Sequence, residues 1–151
     1  MNDKKPKDMA ASVRQRLLNL AQARNEDFQI VLTRFAMERF LYRLSHSKHS
    51  NAFILKGAML FQIWNSAPHR PTRDLDLLAT GKPQIEEFES ILREVFQQTV
   101  DADGLVFDAT TVHGEQIKEE DEYQGIRIRG LIHLANIRIP LQIDIGFGDA
   151  V

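Results

Sequence analysis

No cysteine occurs among the 151 residues, which excludes disulfide scaffolds and thiolate metal sites. No apolar run approaches the ~18 residues of a membrane span. The opening residues Met1-Asn2-Asp3-Lys4-Lys5-Pro6 lead into no apolar stretch, so there is no secretory signal to read. Both absences fit a cytoplasmic protein with no membrane partner. There is also no internal repeat and no linker that would separate two domains. What is present is ordinary for a globular chain, 43% hydrophobic and 26% charged residues, which excludes collagen, disordered and low-complexity classes. The length argues for one domain or part of one. Residues 1–8 read as a loose charged tail and 9–151 as the core domain.

The net charge of −2 hides an asymmetry. Residues 1–73 hold 13 Lys/Arg against 5 Asp/Glu, and residues 74–151 hold 6 against 16. Such a division can mean one face for a polyanion and another for metal ions; it can equally mean solvated helix faces of differing sign.

Hydrophobic periodicity gives the order of elements. Val13, Leu17, Leu20 and Ala21 mark one face of a helix over Met9–Ala23. Asn25 is placed as the N-cap of a second helix, with Glu26 and Asp27 in its first turn, running to about Ser45. Its core face is Phe28, Val31, Leu32, Phe35, Phe40, Leu41 and Leu44, with Arg34, Arg39 and Arg43 between. A short strand follows at Ala52–Leu55, then Lys56-Gly57, an apolar helical run at Ala58–Trp64 and a polar loop at 65–73. Asp74–Ala79 alternates carboxylate and leucine as a strand does. Pro83 suits the first position of a helix extending to about Gln98. A strand runs from Leu105 to about Val112, and Gly114–Glu122 reads as an acidic loop. Ile126–Leu134 and Ile137–Ile145 both alternate, and a turn at Ala135-Asn136 makes them an antiparallel hairpin. The expected class is α+β (mixed α/β), with two N-terminal helices before a mixed sheet.

The chemistry centres on Asp74-Leu75-Asp76. Residues two apart on a strand share a face, so two carboxylates stand side by side over buried leucines. Like charges so placed call for a cation, and a hard ion such as Mg²⁺ supplies it with oxygen ligands. Asp144 is the single charge in the apolar strand Leu141-Gln142-Ile143-Asp144-Ile145 and points away from its apolar face. If that strand lies beside the Asp74 strand, three carboxylates converge and can hold two metal ions for in-line phosphoryl or nucleotidyl displacement. Lys56-Gly57 sits where a strand passes into a helix, a place for backbone amides and a point charge to meet phosphate. Arg70 and Arg73 flank the paired carboxylates. Arg127 and Arg129 alternate with the isoleucines of their strand and point opposite to them. All four suit bidentate contacts to triphosphate or nucleic acid, and Arg73 equally suits pairing with the carboxylates. His133 reads as a sheet-face residue and His69 as a loop residue.

In order along the chain, Phe53-Ile54-Leu55-Lys56-Gly57-Ala58-Met59-Leu60, Arg70-Pro71-Thr72-Arg73-Asp74-Leu75-Asp76 and Leu141-Gln142-Ile143-Asp144-Ile145-Gly146-Phe147-Gly148-Asp149 resemble the AbiEii-type nucleotidyltransferases, the toxins of abortive-infection toxin–antitoxin systems. The resemblance runs from about residue 28 to the end. It implies a polymerase-β-like nucleotidyltransferase core and Mg²⁺-dependent transfer from an NTP to RNA, with tRNA ends as acceptors in characterised relatives, and a cognate antitoxin. Lys56 and Gly57 match the family's glycine turn, Asp74 and Asp76 its D-x-D, and Asp144 its third acidic strand residue. Asp74, Asp76 and Asp144 are thus the expected catalytic and metal-binding residues, and Lys56, Gly57, Arg73, Arg127 and Arg129 the nucleotide- and phosphate-binding ones. Two departures stand out. Ala58 and Met59 replace the Ser or Thr that often follows the glycines, and the family's later basic and acidic motif has no counterpart before Val151. The expectation is therefore a fragment lacking a C-terminal helical part and inactive by itself. Two other readings stay open: transfer of a nucleotide to a small molecule, and a non-catalytic RNA- or protein-binding module of the same fold.

Overall fold

The computed structural model describes residues 6–55, 74–118 and 124–147. Helix α1 spans Pro6–Arg24 and α2 spans Phe28–His46. Three residues between them each have a distinct part in the junction. Asn25 takes a left-handed conformation, φ +53°, which Asn tolerates and which ends α1. The Glu26 side chain is largely covered and receives both guanidinium bonds of Arg34, at 3.1 and 2.9 Å. Asp27 is the true N-cap of α2, its carboxylate accepting from the Gln29 amide at 2.7 Å. The expected cap at Asn25 is corrected on this point: a left-handed residue stops one helix, whereas a cap starting the next needs the extended backbone that Asp27 has. Helix α1 also begins earlier than expected, at Pro6, where a proline's missing N–H costs nothing.

Beyond α2 come β1 (Phe53–Leu55), β2 (Leu75–Ala79), α3 (Ile85–Phe96), β3 (Leu105–Lys118), β4 (Gln124–Leu134) and β5 (Ile137–Phe147). Pro83 lies two residues ahead of α3, and Gln84 occupies the cap without a side-chain bond. The expected start at Pro83 is therefore too early. The five strands form one mixed sheet in the order β1-β2-β5-β4-β3. Only β2 and β5 run parallel; the other neighbours are antiparallel. The β4–β5 hairpin turns at Ala135-Asn136 as expected, with Ala135 at φ +53°.

Strand β3 is longer than its sequence pattern predicts. Residues 114–118, read as the start of an acidic loop, pair with β4 instead, Glu115 opposite Arg127 and Gln116 opposite Ile126. A break in register between Asp108 and His113 explains the misreading, because it interrupts the alternation. The break is stabilised locally. Asp108 accepts from the Thr110 amide and hydroxyl, and Thr111 Oγ1 accepts from the Leu131 amide that the irregular ladder leaves over.

One face of the sheet is the core. Leu75, Leu77, Ile126, Ile128, Ile132, Leu141, Ile143 and Ile145 are all essentially buried, and the helices pack on them. From α3, Phe88 makes ring contacts with Phe53 and Phe147, while Phe96 meets Phe40 and Phe107. Gly130 permits this closeness: a Cβ there would stand 2.6 Å from the Phe96 ring.

The segment before β3 is tied down by charge. Arg43 is 5% exposed, donates to both oxygens of Asp103 at 2.7 and 3.1 Å, and lies over the Phe107 ring. Arg39 donates to the same carboxylate at 2.7 Å, and the Leu105 amide completes its shell. Three arginines of the basic half, Arg34, Arg39 and Arg43, are thus bound to acids within the fold and do not form a free polyanion surface. Burial pushes the Asp103 carboxyl up, but the Arg43 and Arg39 guanidiniums outweigh it and hold it below the usual range. A depressed carboxyl contributes stability that is whole above its unfolded pKa, roughly 4, and is lost as pH falls through the lower native value. Asp103→Asn should therefore destabilise by about 3 kcal/mol at neutral pH and flatten the loss of stability below pH ~4. Urea unfolding as a function of pH checks both. Unchanged acid sensitivity in the variant would show that other carboxylates control it.

Candidate active site

The polar face of the sheet, opposite the core, carries Asp76, Asp144, Arg127 and Arg129, with Asp74 at its edge. Parallel pairing places β2 directly beside β5, with Asp76 opposite Asp144. The expectation that the two acidic strands are neighbours therefore holds. Leu75 and Leu77 are buried while Asp74 and Asp76 are half-buried, as the alternation requires. Asp74 stands at the head of β2, just before its first residue.

Register extends this pair into a row across four strands. Asp144 faces Arg127 of β4, and Arg127 faces Glu115 of β3. The row reads Asp76, Asp144, Arg127, Glu115. In the adjacent row Gln142 faces Arg129, and Arg129 faces His113. The side chains bond within and between the rows. Arg127 holds Asp144 in a fork, Nε to Oδ1 at 2.9 Å and Nη2 to Oδ2 at 3.1 Å. Arg129 Nη1 donates to Glu115 Oε1 at 2.6 Å. The Asp144 carboxylate raises the Arg127 guanidinium above its ordinary value, and the charges of Asp74 and Glu115 add to this. Arg127 is thus a permanent cation within the field of three carboxylates.

Beside this face lies a cleft of about 440 Å³. Strand β2 pairs with β5 only from Ile143 onward, so the earlier part of β5 faces the start of α2. The cleft runs between them, with Gln29, Ile30 and Thr33 on one side, Leu141 and Gln142 on the other, and Asp74 and Arg129 at its rim. It joins the carboxylate row to a space of ligand-binding size lined by apolar groups, the amides of Gln29 and Gln142 and the carboxylate of Asp27.

The carboxylates match a hard divalent ion in donor chemistry and in position, two directly opposed on adjacent strands and one at the strand head. Their side chains do not yet surround an ion: among the described residues no three His, Asp or Glu groups are arranged to hold a metal. Asp144 is instead engaged by Arg127, which donates to both of its oxygens. Lys56, Gly57, Arg70, Arg73 and His69, together with the 58–64 helical run, lie outside the described residues. His133 lies on the sheet, opposite Arg138. Sequence reasoning missed Glu115, assigned to a loop, and Gln142. Glu115 follows once β3 is extended, since it keeps the two-residue spacing from His113, and Gln142 follows from the same spacing before Asp144 on β5.

A mixed sheet with helices on one face, and acidic residues brought together on two adjacent central strands of the other, defines an α+β fold of the nucleotidyltransferase kind. Residues 39–151 match the family model described as nucleotidyl transferase AbiEii toxin, type IV TA system. The chain belongs to this family of nucleotidyltransferase toxins, which implies a cognate antitoxin as partner. No curated protein and no solved structure matches the chain. Among the described residues no helix is long and apolar enough to cross a membrane.

The Arg127–Asp144 pair is about a quarter exposed, which limits its worth. A double-mutant cycle with Arg127→Ala and Asp144→Ala should return a coupling of roughly 1 kcal/mol or less at low salt. It should shrink at 1 M salt, where the Debye length is about 3 Å. A coupling of zero at low salt would mean that the fork does not persist in solution.

Proposed function

We infer that the protein transfers a nucleotide from a nucleoside triphosphate to an RNA acceptor, tRNA ends among the candidates, as a Mg²⁺-dependent toxin of a toxin–antitoxin system in the cytoplasm. The observation that carries this reading is the register of β2 against β5, which sets Asp76 opposite Asp144 with Asp74 at the strand head. Asp74, Asp76 and Asp144 would hold the ion or a pair of ions. Bound there, Mg²⁺ supplies charge neutralisation at the reacting phosphate and lowers the pKa of an attacking hydroxyl.

The chain's own residues account for the rest. Arg127 and Arg129 are fork-shaped donors beside the carboxylates, suited to phosphate oxygens and to the charge that develops on a leaving pyrophosphate. Lys56 and the amides after Gly57 are assigned to the triphosphate from the sequence pattern, and Arg73 to the same duty. The cleft beside Asp74 offers space for a nucleoside, with amides at Gln29 and Gln142 and apolar contact at Ile30 and Leu141. Core leucines beneath β2 fix the carboxylates from behind, so the acids are set in place by packing and not by each other.

The direct test incubates the protein with each labelled NTP, Mg²⁺ and total RNA. Label should enter RNA, depend on Mg²⁺, and fall steeply with salt, as an RNA acceptor requires. Label on a small molecule with salt-insensitive affinity would point to the small-molecule transferase. Intact folding with no Mg²⁺–NTP binding would leave a binding module and overturn the proposal. Asp76→Asn should abolish transfer, a loss of at least 10³-fold if both ions depend on it, while the thermal midpoint stays or rises because like-charge repulsion is relieved. Lys56→Ala should weaken NTP binding and leave stability unchanged. The reverse outcome would make Lys56 a structural residue.

A further inference from the structure

Asp144 is engaged by a cation of the protein itself, which a metal ion would have to compete with. Both of its oxygens accept hydrogen bonds from one guanidinium, Nε at 2.9 Å and Nη2 at 3.1 Å. A divalent ion would need those same oxygens and would meet a fixed positive charge in their place. The competing cation is a built feature of the sheet. Arg127 and Asp144 are direct cross-strand partners on β4 and β5, so Asp144 lies within reach of Arg127 in every molecule. Glu115 lies opposite Arg127 on its other side, but its carboxylate is taken by Arg129. That arrangement leaves the Arg127 fork directed at Asp144.

The hold is not a deep one. The two side chains are 32% and 21% exposed, and ion pairs so exposed open readily. A better partner would draw the guanidinium away. The planar fork that matches a carboxylate matches a phosphate equally well, and a triphosphate carries more charge than one carboxylate.

We propose that Arg127 is a positioning residue shared between two anions: it occupies Asp144 until a nucleoside triphosphate arrives, then moves to the phosphates and frees Asp144 for a divalent cation. The inference rests on the nucleotidyltransferase reading above and adds an order of events to it. Metal and nucleotide then bind cooperatively, because each removes an obstacle to the other. By linkage the coupling is the same from either side. A protein without nucleotide is kept from filling its acidic face with metal, and the acidic face is kept from repelling the incoming triphosphate.

The test measures Mn²⁺ affinity of the full chain by electron paramagnetic resonance, with and without a saturating non-hydrolysable NTP analogue. In the unmodified protein the analogue should tighten Mn²⁺ at least tenfold. Arg127→Gln should bind Mn²⁺ alone at least fivefold tighter than the unmodified protein, and the analogue should then add less than threefold. Arg127→Lys keeps the charge but loses the fork, and should fall between the two. Adding Asp144→Asn to Arg127→Gln should erase the gain. Where Arg127→Gln does not fold, Arg127→Lys carries the test by the same comparison. Mn²⁺ affinity unchanged or weakened in Arg127→Gln, with or without a lower thermal midpoint, overturns the proposal and makes the pair structural. Arg127→Lys indistinguishable from the unmodified protein overturns it too, since charge without the fork would then suffice. An unmodified protein that takes up neither Mn²⁺ nor the analogue defeats the nucleotidyltransferase reading itself, a result distinct from the others.

Discussion

The parallel pairing of β2 with β5 is the constraint on which the site depends. Among the described strands it is the one parallel contact in an otherwise antiparallel sheet. Parallel strands cannot be joined by a tight turn, and these two are separated by α3, β3 and β4 in the chain. The pairing is held from below. Leu75, Leu77, Ile143 and Ile145 are each at most 1% exposed and sit against the helices. Because a strand's side chains alternate with a period of two, burying those four leaves Asp76 and Asp144 no choice of face. A slip of one residue would put two carboxylates into the core and two leucine-class side chains into water, a cost of several kcal/mol. The apolar core thus sets which face the acids take, and the Arg127 fork then orients the Asp144 carboxylate.

Charge is distributed on the two sides of the sheet under different rules. On the helical side, the side chains of Arg34 with Glu26 and Arg43 with Asp103 are largely covered, multiply bonded and bound to segments that connect elements. Removing one partner there strands the other in a low-dielectric place. On the polar side, Arg127 with Asp144 and Arg129 with Glu115 are partly or largely exposed. Those pairs are weak, and weak pairs can be exchanged for a ligand. The same residue types therefore staple the fold on one side and remain available for chemistry on the other, with solvent access making the difference.

Much of this was legible from sequence because it rests on local pattern. The alternation in Leu75–Ala79 and Ile137–Ile145 gives the faces of β2 and β5, and the lone charge at Asp144 marks the polar one. The turn at Ala135-Asn136 fixes the hairpin. What escaped depends on contacts far apart in the chain. Asp103 carries no local signal, and its part emerges only where Arg39 and Arg43, some sixty residues earlier, close on it. Glu115 reads as loop because the register break at 108–113 hides the strand's period. Asn25 and Asp27 are both good cap residues, and only backbone conformation distinguishes the one that ends α1 from the one that begins α2. The fork on Asp144 needs register across two strands, which periodicity within one strand does not contain.

The charge balance of the polar face bears on why a cation is needed at all. Among the described residues of the two rows, the acids Asp76, Asp144 and Glu115 stand with Arg127 and Arg129, and Asp74 lies at the head of β2. Each guanidinium is bonded to one acid on its own side of the sheet, and the β2 end of the row, with Asp74 and Asp76 two residues apart, lies two strands from Arg127. A triphosphate would deepen the negative charge further unless more cations came with it. Electrostatics therefore favours a triphosphate that arrives with a cation over one that arrives without, and the proposed exchange of the Arg127 fork would tie the metal's arrival to the nucleotide's.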